Sequence, residues 1–93
     1  MNIEKTLQWQ LEKRLINVDE IGSDNAILYA LSFLIEEAVE ARQCCKRKKW
    51  KKSELPTNRE ALLEELADVY KFLEITLAYA GFTTEQFNDC LQK

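Results

Sequence analysis

Leu62-Leu63-Glu64-Glu65-Leu66-Ala67-Asp68-Val69-Tyr70-Lys71-Phe72-Leu73 is the stretch whose reading decides the fold. Leu62, Leu66, Val69, Leu73 and then Leu77 recur at spacings of three and four, the period of an amphipathic helix. Upstream, Thr57-Asn58-Arg59-Glu60 has the spacing of a capping box, in which Thr57 and Glu60 satisfy free backbone N–H groups reciprocally. Downstream, Gly81 stops the helix as its C′ residue, because glycine accepts the left-handed conformation found there.

The rest of the chain repeats the pattern on either side. Ile27, Leu31, Leu34, Ala38, Ala41 and Cys45 mark a second helix, running from about Asn25 to a basic cluster and capped by Ser23 or Asp24. Ser53 to Pro56 breaks the periodicity and reads as the loop between these two helices. Ile3, Leu7, Leu11 and Leu15 predict a first helix over residues 2–16, and Asn17 to Gly22 is a connection. Thr83 or Thr84 caps a short last helix that ends near Leu91. The expected fold class is all-α: a long helical hairpin with a helix at either end.

Composition agrees. Two glycines and one proline are too few for a turn-rich β sandwich, while 46% apolar and 31% charged residues suit a helical globular protein. At 93 residues the chain has room for a single domain, 1–93, with a core too small to be comfortable alone. Assembly into a four-helix-bundle-type oligomer, a homodimer or homotetramer, is therefore expected to supply further burial. Cys44, Cys45 and Cys90 are an odd set without histidine or zinc spacing, and read as reduced thiols. The opening residues do not form a signal peptide, and no run of about 18 apolar residues could span a bilayer. A soluble, cytoplasmic protein with no membrane association is expected.

The net charge of −3 argues against a nucleic-acid partner for the molecule as a whole. Yet Lys46, Arg47, Lys48, Lys49, Lys51 and Lys52 crowd around Trp50, an asymmetry that asks for a role.

The carboxylates suggest one. On a helical wheel with Leu62 at zero, Glu65 falls at about −60° and Asp68 at about −120°, on a flank shared with Ala61, Phe72, Ile75 and Tyr79. Glu64 and Lys71 point the opposite way. With Ile27 at zero, Glu37 falls at about −80° and Glu40 at about −140°, beside Ala30, Phe33, Ala41 and Cys44. Each helix thus presents an i, i+3 carboxylate pair on an apolar flank. The midpoint between Glu40 and Glu65 lies between residues 52 and 53, inside the hairpin loop, so the two pairs share one height. Four converging carboxylates repel one another and lose hydration, and a hard divalent cation relieves both effects. All-oxygen ligation suits Mg²⁺ or Mn²⁺ better than Zn²⁺. Two other readings are a helical interaction module that binds nucleic acid through the basic loop, and a structural helical dimer with its carboxylates at a hydrated seam.

Glu36-Glu37-Ala38-Val39-Glu40 followed by Glu65-Leu66-Ala67-Asp68 resembles the paired signature of the MazG and dimeric-dUTPase superfamily of all-α NTP pyrophosphatases. The flanking runs Leu34-Ile35-Glu36-Glu37 and Leu63-Glu64-Glu65-Leu66-Ala67-Asp68-Val69-Tyr70 are similar too, and the likeness spans about Ala26 to Leu91. The resemblance implies that Glu37, Glu40, Glu65 and Asp68 bind Mg²⁺, with Glu37 or Glu40 as general base. It also implies that an NTP or dNTP becomes the monophosphate plus pyrophosphate, at a site at or near a subunit interface. Glu36 occupies the first acidic position of that signature, although the wheel sets it off the site, in at most a supporting role. Lys48, Lys49 and Lys51 are the phosphate-binding candidates, since dUTPase-like members carry a similar Lys/Trp segment. Gln8, with Leu11, Glu12 and Leu15, resembles the opening helix of dimeric dUTPases, where a Gln amide meets the pyrimidine edge. Trp9 and Trp50 are the residues able to stack on a base. The chain is shorter than typical dUTPases and nearer the minimal MazG-like proteins, so dUTP is one candidate among the dNTPs.

Overall fold

The computed structural model describes residues 1–45 and 57–93, and every described element is helical. Helix α1 spans Ile3–Glu12, α2 Asp24–Gln43, α3 Arg59–Tyr79 and α4 Thr84–Leu91, with a single 3₁₀ turn at Val18–Glu20 between α1 and α2. The basic cluster at 46–52 and the expected break at 53–56 lie outside the described residues.

Local chemistry sets the boundaries. Ser23 Oγ accepts from Ala26 N at 3.1 Å and starts α2. Thr83 caps α4 in a capping box with Gln86. The expected box of Thr57 and Glu60 does not form. Asn58 caps α3 instead, its Oδ1 accepting from Ala61 N at 3.1 Å. Asn is at least as good a cap as Thr, and its use moves the start by one residue. At the far end Gly81 has φ +83°, with Phe82 N bonded to Leu77 O and Gly81 N to Ala78 O. That is the Schellman pattern expected of a C′ glycine.

Helix α1 is shorter than its apolar spacing predicts. Arg14 adopts φ +57°, with Leu15 N bonded to Gln10 O and Arg14 N to Leu11 O, so a second Schellman motif ends the helix at Glu12. Leu15 leaves the helical face and is exposed.

Helices α2 and α3 form the hairpin, and α1 lies against α3. Most of the leucine-stripe residues are half-buried and not fully inside. Buried positions are Ala26, Ala30 and Ala41 on α2 and Thr76, Ala78 and Tyr79 on α3. Phe33 and Phe72 stack between the helices with ring centroids 5.5 Å apart. The flank carrying the carboxylates therefore faces the neighbouring helix, while Ala38 and Leu66 of the stripes are exposed. Small alanines let the backbones approach, and the aromatic pair fills what remains.

A small core of Ile16, Ala26, Ala30 and Tyr79, packed by Leu11, Ile21 and Ile75, sits at the end of the hairpin away from the loop. Tyr79 OH donates to Gln10 Oε1 at 2.6 Å, a buried bond that ties α1 to α3. Glu4 joins the first and last helices: its carboxylate accepts from Thr84 N at 2.8 Å and Thr84 Oγ1 at 2.6 Å. Those hydrogen bonds hold the Glu4 carboxyl below its ordinary value. Ile3 is the one large side chain fully buried among the described residues. Leu28, Ile35, Leu63 and Tyr70 remain exposed, Leu63 at 70%. No helix among the described residues is long and apolar enough to cross a membrane.

Candidate metal centre

The hairpin register brings carboxylates of α2 against those of α3. Glu37, Glu65 and Asp68 each offer an oxygen, and these oxygens all lie within 4.8 Å of one another. All three residues are half-buried. Glu40 stands outside that trio and is exposed, but it adjoins Glu65 and Glu37 closely enough to perturb both. Three of the four expected ligands thus converge tightly, with the fourth at the rim. Glu36 is exposed on the polar side of α2, as its wheel position indicates.

Local packing explains the placement. Glu37 lies one turn beyond Phe33, and Asp68 one turn before Phe72, so the stacked rings align the two carboxylate-bearing turns. Toward the loop, a cavity of about 440 Å³ opens between Glu40, Gln43, Cys44, Asn58, Ala61 and Glu65. The cluster thus has the aromatic pair one turn to one side and this cavity on the other.

The electrostatics are those of crowded anions. Burial pushes the Glu65 carboxyl up to about 7, with Glu40 and Glu37 adding to the rise. Glu37 is raised as well, first by burial, then by Glu40, with Asp68 contributing and Glu65 opposing. Glu37 Oε2 and Glu65 Oε2 are buried and accept no hydrogen bond from the described residues. Protonation of Glu65 would relieve the crowding in part. A divalent cation would do so more fully, because buried acceptors without donors are costly. The donor set is oxygen only, which fits Mg²⁺ or Mn²⁺ and not a soft metal.

Of the remaining sequence-derived candidates, Lys48, Lys49, Lys51 and Trp50 lie outside the described residues. Gln8 is exposed and spends its amide on its own helix, Nε2 donating to Glu12 Oε1 at 3.2 Å. Trp9 is 51% exposed, with Lys13 Nζ 5.9 Å from its ring centroid. The structure brings neither residue to the carboxylates. One buried polar residue was overlooked by the apolar pattern. Gln10, 5% exposed, sits seven residues after Ile3 and so on the inner face of α1. Lys71 is exposed, as its wheel position indicates, and its Nζ lies 3.7 Å from Asp68 Oδ1. An Asp at i and a Lys at i+3 was the available signal.

Cys44, Cys45 and Cys90 are free thiols. Compared with family models, curated proteins and solved structures, the chain matches none.

Proposed function

We propose that this protein is a Mg²⁺-dependent nucleoside triphosphate pyrophosphohydrolase, converting an NTP or dNTP to the monophosphate and pyrophosphate in cytoplasmic house-cleaning of the nucleotide pool. The observation that carries the reading is the trio Glu37, Glu65 and Asp68, with buried oxygens on Glu37 and Glu65 that no described donor satisfies. The resemblance of Glu36-Glu37-Ala38-Val39-Glu40 and Glu65-Leu66-Ala67-Asp68 to the MazG and dimeric-dUTPase signature supports it from the sequence side.

Glu37, Glu65 and Asp68 are the residues that hold the cation, and Mn²⁺ is able to replace Mg²⁺ there. When bound, the cation supplies neutralisation of phosphate charge and acidification of a coordinated water. Glu40, beside the trio but outside it, is free to accept the proton of the attacking water. The stacked Phe33 and Phe72 give the carboxylates an apolar neighbour one turn away. Lys48, Lys49 and Lys51 follow α2 by a few residues and are assigned to the leaving pyrophosphate; substituting all three raises KM for the triphosphate. The exposed Leu28, Ile35, Leu63, Leu66 and Tyr70 support a homodimer or homotetramer built on the outer faces of the hairpin.

The test is a panel of dNTPs and NTPs with Mg²⁺, scored for released pyrophosphate and repeated with Glu65→Gln. Release from at least one nucleotide that disappears in the variant is expected. No release from any, or equal release by the variant, refutes the assignment.

A further inference from the structure

Between described residues the ion pair is that of Lys71 with Asp68 of the acidic trio. Lys71 thus sets an ammonium beside the carboxyl groups of Glu37, Glu65 and Asp68. The contact is loose. At 3.7 Å it is longer than a charge-assisted hydrogen bond, and the two side chains are 71% and 43% exposed. Such a pair costs little to break. The Lys71 side chain also lines a separate cavity of about 240 Å³ between α1 and α3, together with Trp9, Tyr70 and Glu74. Lys71 thus borders both the carboxylates and this cavity.

A divalent cation held by Asp68 competes with Nζ for the same oxygens and repels it through like charge. Displaced, Nζ remains tethered about one helical turn from the cation on a flexible stem. That is where the anionic oxygens of a polyphosphate arrive, and a compact, rotatable ammonium suits them.

We propose that Lys71 is an exchangeable counter-ion of the acidic centre. It pairs with Asp68 while no divalent cation is held there, and moves to the phosphate oxygens of the ligand once one is. This rests on the function proposed above, but it makes two demands of opposite sign that turnover alone does not. Removing the lysine must strengthen cation binding, since a competitor is lost, and weaken polyphosphate binding, since a contact is lost. A lysine that merely stabilised the helix would do neither.

The experiment uses the full chain and two probes: Mn²⁺, titrated by electron paramagnetic resonance, and inorganic pyrophosphate, titrated calorimetrically at saturating Mg²⁺. Lys71→Met is expected to bind Mn²⁺ roughly two- to fivefold tighter, the range set by an exposed ion pair. Pyrophosphate should bind the same variant about tenfold more weakly, as for a lost charge-assisted contact, and Lys71→Arg should restore most of that affinity. Circular dichroism melting verifies that both variants fold. Unchanged or weaker Mn²⁺ binding by Lys71→Met overturns the proposal, as does unchanged pyrophosphate affinity. Both probes behaving as expected in a protein that hydrolyses no triphosphate would leave the counter-ion exchange standing and remove the enzymatic reading. Failure of the wild-type chain to bind Mn²⁺ at all removes both.

Discussion

Phe33 and Phe72 stack across the hairpin with ring centroids 5.5 Å apart and planes inclined by 17°. They are equidistant in sequence from the point between residues 52 and 53, as are Glu37 and Asp68, and Glu40 and Glu65. The aromatic contact is thus the register mark for the carboxylate contact one turn away. An antiparallel pair of helices that slid by one turn would separate both at once.

Phe72→Ala should accordingly damage stability and site together. The ring is half-buried, so the loss is expected at about 2 kcal/mol, below the range for a fully buried phenylalanine. Urea denaturation monitored by circular dichroism measures it, and Mn²⁺ affinity measured on the folded variant should fall in parallel. Unaltered Mn²⁺ binding would mean that the stack does not align the carboxylates.

Glu65→Gln removes one charge from the cluster and leaves a donor for the buried Glu37 oxygen. The metal-free variant should melt a few degrees above wild type, because repulsion and desolvation are both relieved. Saturating Mg²⁺ should raise the melting temperature of wild type, by an amount equivalent to about 2.7 kcal/mol at a hundredfold excess over Kd. The same addition should leave the variant almost unmoved. Scanning calorimetry with and without Mg²⁺ separates these outcomes.

The raised carboxyls make a pH prediction with a definite sign. Glu65 titrates at about 7 when folded, against an ordinary 4.5 when unfolded. Below about 4.5 both states are protonated and the favourable contribution of the neutral form is complete. Between 4.5 and 7 the folded state holds a proton that the unfolded state has lost, so stability falls as pH rises. Glu37 acts in the same direction. Glu4, whose carboxyl is lowered, contributes only on the acid side of this window. The metal-free protein should therefore melt higher at pH 5 than at pH 7.5, and Mg²⁺ should stabilise it more at the higher pH. A melting temperature that climbs from pH 5 to pH 7.5 without metal contradicts the burial of these groups.

Arg14 ends α1 in the left-handed region at φ +57°, a conformation that disfavours a side chain bearing a Cβ. Arg14→Gly should stabilise the protein by about 0.5–1 kcal/mol, the relief of strain exceeding the added freedom of the unfolded chain. Chemical denaturation supplies the number. A destabilised variant would show that the arginine side chain contributes more than its backbone costs.

Much of this was legible beforehand. The 3.6-residue period of Leu62 to Leu77 and the glycine at 81 announce α3 almost to its last residue, since periodicity and αL caps are local effects. The pairing of Glu37 and Glu40 with Glu65 and Asp68 was legible for a similar reason, because an antiparallel hairpin maps distance from the turn onto height. Three features were not. The end of α1 at Glu12 depends on a left-handed arginine that no propensity marks. The contact of Lys71 with Asp68 had only its i, i+3 spacing as a sign, which leaves the rotamer open. The cap at Asn58 rather than Thr57 is decided by which side-chain oxygen reaches the first free N–H groups.

By itself, then, the order of residues determined that the chain is helical, where its helices turn back, and that its acidic pairs meet at one level. Only the packed structure decided which residues of α2 and α3 touch: Phe33 stacks on Phe72 between the helices, while Leu31, Leu34, Leu62 and Leu73 of the stripes are half-buried. The reason is that a helical wheel gives each side chain a direction but not the neighbour it meets, which depends on how the helices pack. That same packing turned the carboxylates inward and left Glu37 and Glu65 with buried oxygens in want of a partner.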